Sequence, residues 1–229
     1  MAIYAIGDLH LSVAAKTPMD IFQGWDNHAE MLIEIWTAKI KEKDTVVLAG
    51  DISWGMKMSE AVPDFRLIEG LPGEKIILKG NHDHWWGSVT SMNRALEEHE
   101  IRSIRFLHNN SYLVEGLEIC GSRGWLFEDG APHDVKIVRR ETNRIEASLK
   151  SVEDAKAEKL LFLHYPPIFN GQELTPFIEL MKKYKVKRCY YGHIHGPGHK
   201  YAVNKKVYGI KFEMISADFI AFDPILIKK

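Results

Sequence analysis

Residues that can bind a metal ion occur in five short segments of this chain. The segments are Asp8-Leu9-His10, Gly50-Asp51, Gly80-Asn81-His82-Asp83, His164 and Gly192-His193-Ile194-His195. They supply carboxylate, amide and imidazole groups but no thiolate. Oxygen ligands mixed with imidazole suit Mn, Fe, Zn or Ni better than a structural zinc bound by cysteines. The number of these ligands exceeds what one ion needs. Two ions that share one carboxylate would use all of them.

Four of the segments directly follow an apolar run that predicts a buried strand, and the fifth follows a run that also predicts a strand. The runs are Ile3 to Ile6, Thr45 to Ala49, Lys75 to Leu78, Leu160 to Leu163 and Arg188 to Tyr191. Parallel strands place their carboxyl ends along one edge of a sheet, and open α/β sheets bind ligands beyond those ends. We therefore expect segments from nearly the whole chain to meet in one small volume.

The five segments, in this order, resemble the motifs of the calcineurin-like metallophosphoesterases, and the resemblance extends from Asp8 to His195. It implies that one metal ion is held by Asp8, His10, Asp51 and His195. It implies that a second ion is held by Asp51, Asn81, His164 and His193, with Asp51 bridging the two. The family also implies that His82 is the catalytic histidine, and Asp83 resembles the residue that steadies this segment.

A pair of divalent ions about 4 Å apart can clamp the attacking and leaving oxygens of an in-line displacement. The expected reaction is hydrolysis of a phosphate mono- or diester by a metal-bridging hydroxide. If Asn81 faces the metal, His82 must point elsewhere, because adjacent side chains diverge. We expect His82 to assist the leaving group with a proton or a charge-assisted hydrogen bond. A nearby Asp83 carboxylate would favour its imidazolium form.

Three glycines each precede a proposed metal ligand, namely Gly50, Gly80 and Gly192. Glycine allows a sharp turn at the end of a strand and a close approach of the backbone to other groups. We predict that these glycines shape the loops that carry the ligands.

Two residues outside the five segments are candidates for substrate binding. Trp85 could stack on a nucleobase, or it could pack in the core where a helix begins. Arg123, in the loop Gly121-Ser122-Arg123-Gly124-Trp125, could hold a phosphate or carboxylate through two hydrogen bonds.

A third candidate is a set of basic residues at a spacing of four, Lys136, Arg140 and Arg144. On a helix they share one face. That face could meet a polyanion, but the neighbouring Glu141 favours a face that is simply exposed to water.

Composition sets broad limits on the class of protein. The chain has 229 residues and a formal net charge of -1, so charge gives no global argument for binding nucleic acid or an anionic membrane. No apolar run approaches the ~20 residues of a membrane span, and the amino terminus lacks the features of a signal peptide. We expect one cytoplasmic domain, residues 1–229, in which Cys120 and Cys189 are buried and reduced.

Strands and helices alternate along the chain. Predicted helices span Asn27 to Lys41, Ser59 to Glu69, Ser88 to His99, His133 to Lys159 and Glu173 to Tyr184. Asn27 and Glu30 are spaced as a capping box for the first helix. The alternation predicts the α/β class, as two mixed β-sheets packed as a sandwich and flanked by helices. The resemblance implies the same fold, with four layers in the order αββα.

The substrate is the least determined part of the function. A small phosphoester such as a nucleotide is preferred, while a nuclease or a non-catalytic metal-binding scaffold for protein assembly are the alternatives. After Gly50-Asp51 the chain continues with Ile52-Ser53-Trp54, unlike the protein serine/threonine phosphatases, and this difference argues against that activity. A lipid-precursor hydrolase of similar length has arginine where this chain has His82, which argues against that activity too.

Overall fold

The computed structural model describes residues 1–126 and 135–229, which form strands, α-helices and one 3₁₀ helix, Gly196–Tyr201. The strands are β1 (Ile3–Ile6), β2 (Thr45–Leu48), β3 (Glu74–Ile77), β4 (Ile104–Phe106), β5 (Ser111–Val114), β6 (Leu117–Ser122), β7 (Glu158–Leu163), β8 (Ile168–Phe169), β9 (Gln172–Glu173), β10 (Arg188–Tyr191), β11 (Lys206–Val207), β12 (Ile210–Met214) and β13 (Ile225–Lys228). The helices are α1 (His28–Lys39), α2 (Met58–Glu69), α3 (Val89–Glu98), α4 (Val135–Lys150) and α5 (Thr175–Lys183).

These strands form two mixed sheets and a small β8–β9 hairpin. The first sheet has the order β13-β1-β2-β3-β4, in which β1 to β4 are parallel and β13 is antiparallel. The second has the order β11-β12-β10-β7-β6-β5, in which the four central strands are parallel. The predicted α/β class and the two mixed sheets with flanking helices are confirmed.

The inner faces of the two sheets pack against each other. Ile3, Val47 and Ile76 of the first sheet belong to one buried cluster with Phe162 and Tyr190 of the second. The rings of Phe162 and Tyr190 stack at 5.0 Å between centroids. Burial of one such large apolar side chain contributes about 1.5–3 kcal/mol to folding.

The outer faces are covered by helices. Trp36 of α1 and Phe65 of α2 pack in a cluster with Leu48 of the first sheet. Phe177 of α5 packs in another cluster with Leu161 of the second sheet. Since the central strands bury both faces, their sequences are continuous apolar runs, and this is why composition predicted them.

Two predicted features of the helices are wrong. The sequence predicted one helix from His133 to Lys159, but α4 ends at Lys150, and residues 133–134 lie outside the described residues. Residues 158 and 159 instead begin β7, which pairs with β6. They are polar because they lie at the exposed end of the strand. Asn27 has a left-handed φ of 52° and forms no side-chain cap, so the predicted capping box is absent at this described helix end.

Cys120 and Cys189 are buried and unpaired. Burial raises the pKa of the Cys120 thiol to about 12, which makes it a poor nucleophile. Among the helices of residues 1–126 and 135–229, none combines the length and apolar character that crossing a bilayer requires.

Backbone hydrogen bonds join the two sheets beyond the carboxyl ends of β1 and β12. The N–H of Gly7 donates to Ile215 O at 2.8 Å, and the N–H of Ala217 donates to Gly7 O at 3.0 Å. The parallel strands of both sheets therefore end at one common seam. The residues that follow these strands line the seam from both sides.

Candidate metal centre and active site

All seven predicted metal ligands lie together at the seam between the sheets. Six of them form two groups, and within each group the donor atoms lie within 4.8 Å of one another. The first group is Asp8, His10 and His195, and the second is Asp51, His164 and His193. Asn81 joins the second group, because its Oδ1 lies 2.6 Å from His164 Nε2 and 2.8 Å from His193 Nδ1.

The Asp51 carboxylate lies between the two groups. Its Oδ2 is 3.8 Å from His10 Nε2 in the first group and 3.5 Å from His164 Nε2 in the second. Asp8 Oδ1 also approaches both groups, but its neighbour in the second group is His164 Nδ1, at 3.7 Å. That nitrogen is 3.0 Å from Ala49 O and donates to it. Asp51 therefore lies within 4 Å of a donor nitrogen of each group.

The donor set of the second group fits a cation. Burial lowers the pKa of His164 to about 3, so its imidazole is neutral. With its Nδ1–H donating to Ala49 O, its Nε2 carries a lone pair. This lone pair faces Asn81 Oδ1, which is another acceptor, at 2.6 Å. A bound cation would satisfy both atoms, because the backbone carbonyl has fixed the histidine tautomer in the way metal ligands require.

Four of the predicted ligands have an unusual backbone conformation. The φ angles of Asp8, His10, Asp51 and His193 are 61°, 47°, 52° and 75°. Such left-handed conformations are uncommon for residues other than glycine and cost about 1–3 kcal/mol each when strained. One compensation is visible at Asp8, whose two carboxylate oxygens each accept from the N–H of His193 at 3.0 Å. Strain of this kind concentrates at functional sites.

The three glycines act in two different ways. Gly50 has a φ of 86°, so it provides the turn that was predicted. At Gly80 and Gly192 the need is for space. A Cβ on Gly80 would lie 2.0 Å from Asp51 Oδ1, and a Cβ on Gly192 would lie 2.4 Å from Asp8 Oδ2. Glycine therefore allows both carboxylates to enter the centre.

Burial controls the charges of the side chains in this site. Burial first, and then the charge of Asp51, raises the pKa of Asp8 to about 8. Burial raises the pKa of Asp51 to about 6, against the opposing effect of His82. Burial lowers the pKa of His193 to about 2. At neutral pH the imidazole is therefore ready to bind a cation, whereas Asp8 must first lose its proton.

Asp83 connects the segment that carries Asp51 with the segment that carries Asn81. Its fully buried carboxylate accepts hydrogen bonds from the backbone N–H groups of Asp51 and Ile52, both at 2.9 Å, and of Gly80 at 2.7 Å. Burial and then the charge of Asp51 raise its pKa to about 7. In the described part of the chain no hydrogen bond links this carboxylate to the His82 ring. The geometry therefore suits a positioning role, and it does not support the expectation that Asp83 favours an imidazolium at His82.

Trp85 lies in the core. Its side chain is 4% exposed, its Nε1–H donates to Asp83 at 3.0 Å, and its ring packs edge-on against Phe65. A buried ring has no free face on which a base could stack. The prediction that Trp85 binds substrate is therefore corrected to core packing.

His82 lines a cavity of about 480 Å³ together with His10 and His195 of the first group. Its backbone N–H donates to Asp51 Oδ1 at 2.8 Å, and its ring centroid lies 4.5 Å from that of Trp54. The aromatic and imidazole side chains that line the cavity are those of His10, Phe22, Trp25, Trp54, His82 and His195. The sequence did not single out Trp25 or Trp54 as site residues, because each is an ordinary apolar residue in its own segment.

Asp218 is a further site residue that the sequence analysis missed. Its carboxylate accepts from His195 Nδ1 at 2.9 Å and from the N–H of Gly196 at 3.0 Å. Burial alone would lower the pKa of His195. The hydrogen bond to Asp218 and the charge of Asp8 outweigh burial, so the pKa of His195 lies above its ordinary value. The hydrogen bond leaves His195 Nε2 to face the first group. Asp218 lies a few residues beyond β12, so the rule that identified the other segments could have identified it.

Replacing Asp218 with alanine should weaken metal binding at the first group by about 10- to 100-fold, as is typical when a carboxylate that orients a ligating histidine is removed. Competition with a chelator, followed by metal analysis, measures this change. Asp223→Ala is the control, because Asp223 is an exposed aspartate of the same segment that pairs with Lys39. Equal metal affinities in the two variants would contradict the role given to Asp218.

Arg123 follows β6 at the border of the site. Its carbonyl oxygen accepts from the N–H of His164 at 3.1 Å and of Tyr165 at 2.9 Å. Its guanidinium lies 3.8 Å from Glu141 and over the ring of Trp125. Arg123 does not line the cavity beside His82, and it instead lines a separate one. Its predicted contact with substrate stays a prediction.

The fold and the two donor groups are those expected of a metal-dependent phosphoesterase. The family described as calcineurin-like phosphoesterase matches residues 1–197. The chain belongs to this family.

Comparison with solved structures gives similar folds at low sequence identity. A protein of unknown function from Aquifex aeolicus has a TM-score of 0.51 and 18% identity, over 98% of this chain and 95% of that one. A phosphopantetheinyl hydrolase from Mycobacterium tuberculosis has a TM-score of 0.56 and 14% identity, over 94% of this chain and 88% of that one. A protein from Thermus thermophilus has a TM-score of 0.56 and 16% identity, over 99% of this chain and 97% of that one. These likenesses show the fold alone. A comparison with curated protein sequences finds no match.

Proposed function

We propose that this protein is a two-metal hydrolase that cleaves a phosphate mono- or diester of a small organic molecule. The observation that carries the proposal is the pair of donor groups on either side of Asp51, with His82 beside them. Divalent ions held there, Mn, Fe, Zn or Ni, would supply an activated water and take up charge on the phosphoryl oxygens.

In this proposal His82 assists the departure of the leaving group. Its backbone is held by the bond to Asp51 Oδ1, and its ring lines the cavity where an organic group would lie. A histidine in this position can donate a proton or a charge-assisted hydrogen bond to the leaving oxygen.

The cavity beside His82 suggests the kind of organic group. Its volume of about 480 Å³ falls within the range of sites for small molecules. Phe22 is exposed and Trp54 is partly exposed, so these two rings provide aromatic surface to the cavity. A planar or apolar group, such as a nucleobase, fits this lining. A cavity of this size favours a small phosphoester over the long polymer that a nuclease would bind.

The proposal is tested by assaying the purified protein with Mn²⁺, Fe²⁺, Zn²⁺ and Ni²⁺ against p-nitrophenyl phosphate, its bis ester and a panel of nucleotides. We expect metal-dependent turnover of at least one ester and a metal content of two ions per chain. The absence of turnover with every metal and ester, despite bound metal, would instead favour the non-catalytic scaffold. Cleavage of DNA or RNA alone would favour the nuclease.

His82→Ala should lower kcat by about 10²- to 10⁴-fold, because it removes the group that assists the leaving oxygen. The loss should be larger for an alkyl phosphate than for p-nitrophenyl phosphate, whose leaving group needs less protonation. Metal content should stay at the wild-type value. His84→Ala is the matched control, because His84 is an exposed histidine two residues away. A His82 variant with unchanged kcat for both esters would eliminate this role.

A further inference from the structure

A second cavity, of about 280 Å³, lies beside the metal centre. Among the described residues, its cationic lining side chains are Lys79, Arg123, Arg140 and Arg144, and no proposed metal ligand lines it. Lys79 directly precedes the segment that carries Asn81, and the carbonyl of Arg123 accepts from the N–H of His164. The cavity therefore adjoins the backbone that carries the second donor group.

Among the described residues, the lining of this cavity has more positive than negative charge. Within residues 1–126 and 135–229, Glu141 is the carboxylate that contacts these cations, and it is completely buried. It accepts from Arg144 at 2.8 Å and lies 3.4 Å from Arg140 and 3.8 Å from Arg123. The sequence analysis placed Glu141 on a face exposed to water, so this burial corrects that expectation. One carboxylate cannot neutralise all the cations around it.

Two buried donors in the same lining lack a hydrogen-bond partner among the described residues. They are Arg123 Nε and Trp86 Nε1. Buried donors are normally paired, so each unpaired one needs an explanation. Lys79 lines the same cavity, so its positive charge adds to those of the three arginines. An anion with several acceptor atoms would satisfy these donors and offset the repulsion.

We propose that this cavity is an anion site that takes a phosphate or pyrophosphate group, separate from the phosphoryl group that is cleaved at the metal centre. A phosphate presents acceptors in several directions. This suits donors that come both from loops, which carry Lys79, Trp86 and Arg123, and from α4. Guanidinium groups bind such oxygens through two parallel hydrogen bonds. The group is either a second phosphate of the substrate or a free anion. The site itself does not depend on the proposed function.

Calorimetric titration of inorganic phosphate and pyrophosphate into the full-length protein tests the site directly. The protein is used both metal-loaded and after treatment with a chelator, so that binding to metal is distinguished from binding to the cavity. We expect one anion per chain to bind the chelator-treated protein, with an affinity that falls as NaCl rises. Phosphate binding that is confined to the metal-loaded protein would overturn the proposal.

Variants assign the binding to the cavity. Lys79→Met should weaken the affinity by about tenfold or more, as expected for the loss of one charge-assisted contact. Trp86→Phe keeps the ring and removes only the indole donor, so it provides a second test if Lys79→Met fails to fold. Arg139→Ala is the control, because Arg139 is an exposed arginine of α4 outside the lining of this cavity. Wild-type affinity in both Lys79→Met and Trp86→Phe would overturn the proposal.

Kinetics with the same variants distinguish the two sources of the anion. If Lys79→Met raises KM for a nucleoside diphosphate but not for p-nitrophenyl phosphate, the cavity takes a second phosphate of the substrate. If calorimetric binding is lost while both KM values stay unchanged, the cavity takes a free anion. Both results support the site, whose existence is decided by calorimetry even if the protein hydrolyses neither ester.

Discussion

Asp51→Asn should lower kcat/KM for any phosphoester by about a thousandfold or more. The proposed bridging role places Asp51 between both donor groups, so its loss should release or misplace both ions. Stabilisation of charge by bound metal is worth several kcal/mol, and each ~1.4 kcal/mol is tenfold in rate. Steady-state kinetics and metal analysis of the same preparation measure the effect. We expect less than the wild-type metal content.

The control for this variant is Asp44→Asn. Asp44 is also buried, and it accepts hydrogen bonds from the N–H groups of Ala2 at 2.7 Å and Lys41 at 3.0 Å, away from the donor groups. Its loss should lower stability and leave the metal content and kcat of the folded protein unchanged. An Asp51 variant that binds two ions and retains wild-type activity would refute the bridging role.

Gly80→Ala should abolish metal binding at the second group or prevent folding of the loop that carries it. The added Cβ would lie 2.0 Å from Asp51 Oδ1 and 2.2 Å from Asp51 N. A side chain could rotate away, but the backbone nitrogen cannot, because its N–H is bonded to Asp83 at 2.9 Å. Overpacking alone costs about 1–3 kcal/mol. Thermal unfolding with and without Mn²⁺ should show a lower Tm and little or no metal-induced increase.

Gly70→Ala is the matched control for the glycine substitution. Gly70 ends α2 with a φ of -69°, and an added Cβ would lie 3.4 Å from the nearest atom, Leu67 O. Alanine fits both the conformation and the space, so Tm and metal content should stay close to wild type. A Gly80 variant that behaves like this control would show that the carboxylate does not need the close approach.

Much of the fold and the placement of the ligands could be predicted because both depend on local sequence. A central strand that buries both faces is a continuous apolar run, and the ligand follows it directly. The segments after β1, β2 and β3 illustrate this rule. Asp218 obeys the same rule after β12, but the strand has only partly apolar sequence, Ile-Lys-Phe-Glu-Met, and was not recognised individually.

The remaining features could not be predicted because they depend on which way neighbouring side chains point in three dimensions. Trp85 and Trp86 are adjacent and identical in type, yet Trp85 packs in the core while Trp86 lines the anion cavity. Glu141 belongs to a helix that the sequence describes as polar, yet contacts with Ser122 and Arg144 bury it. No periodicity in the sequence contains that information.

The seam between the sheets has a consequence for how the protein unfolds. The bonds of Gly7 to Ile215 and Ala217 connect the sheets next to the donor groups, and each sheet contributes ligands to those groups. An ion held there would act as a cross-link, so the sheets could not part without releasing it. Metal affinity then becomes part of the free energy of unfolding. The supply of metal would therefore set the temperature that this protein tolerates.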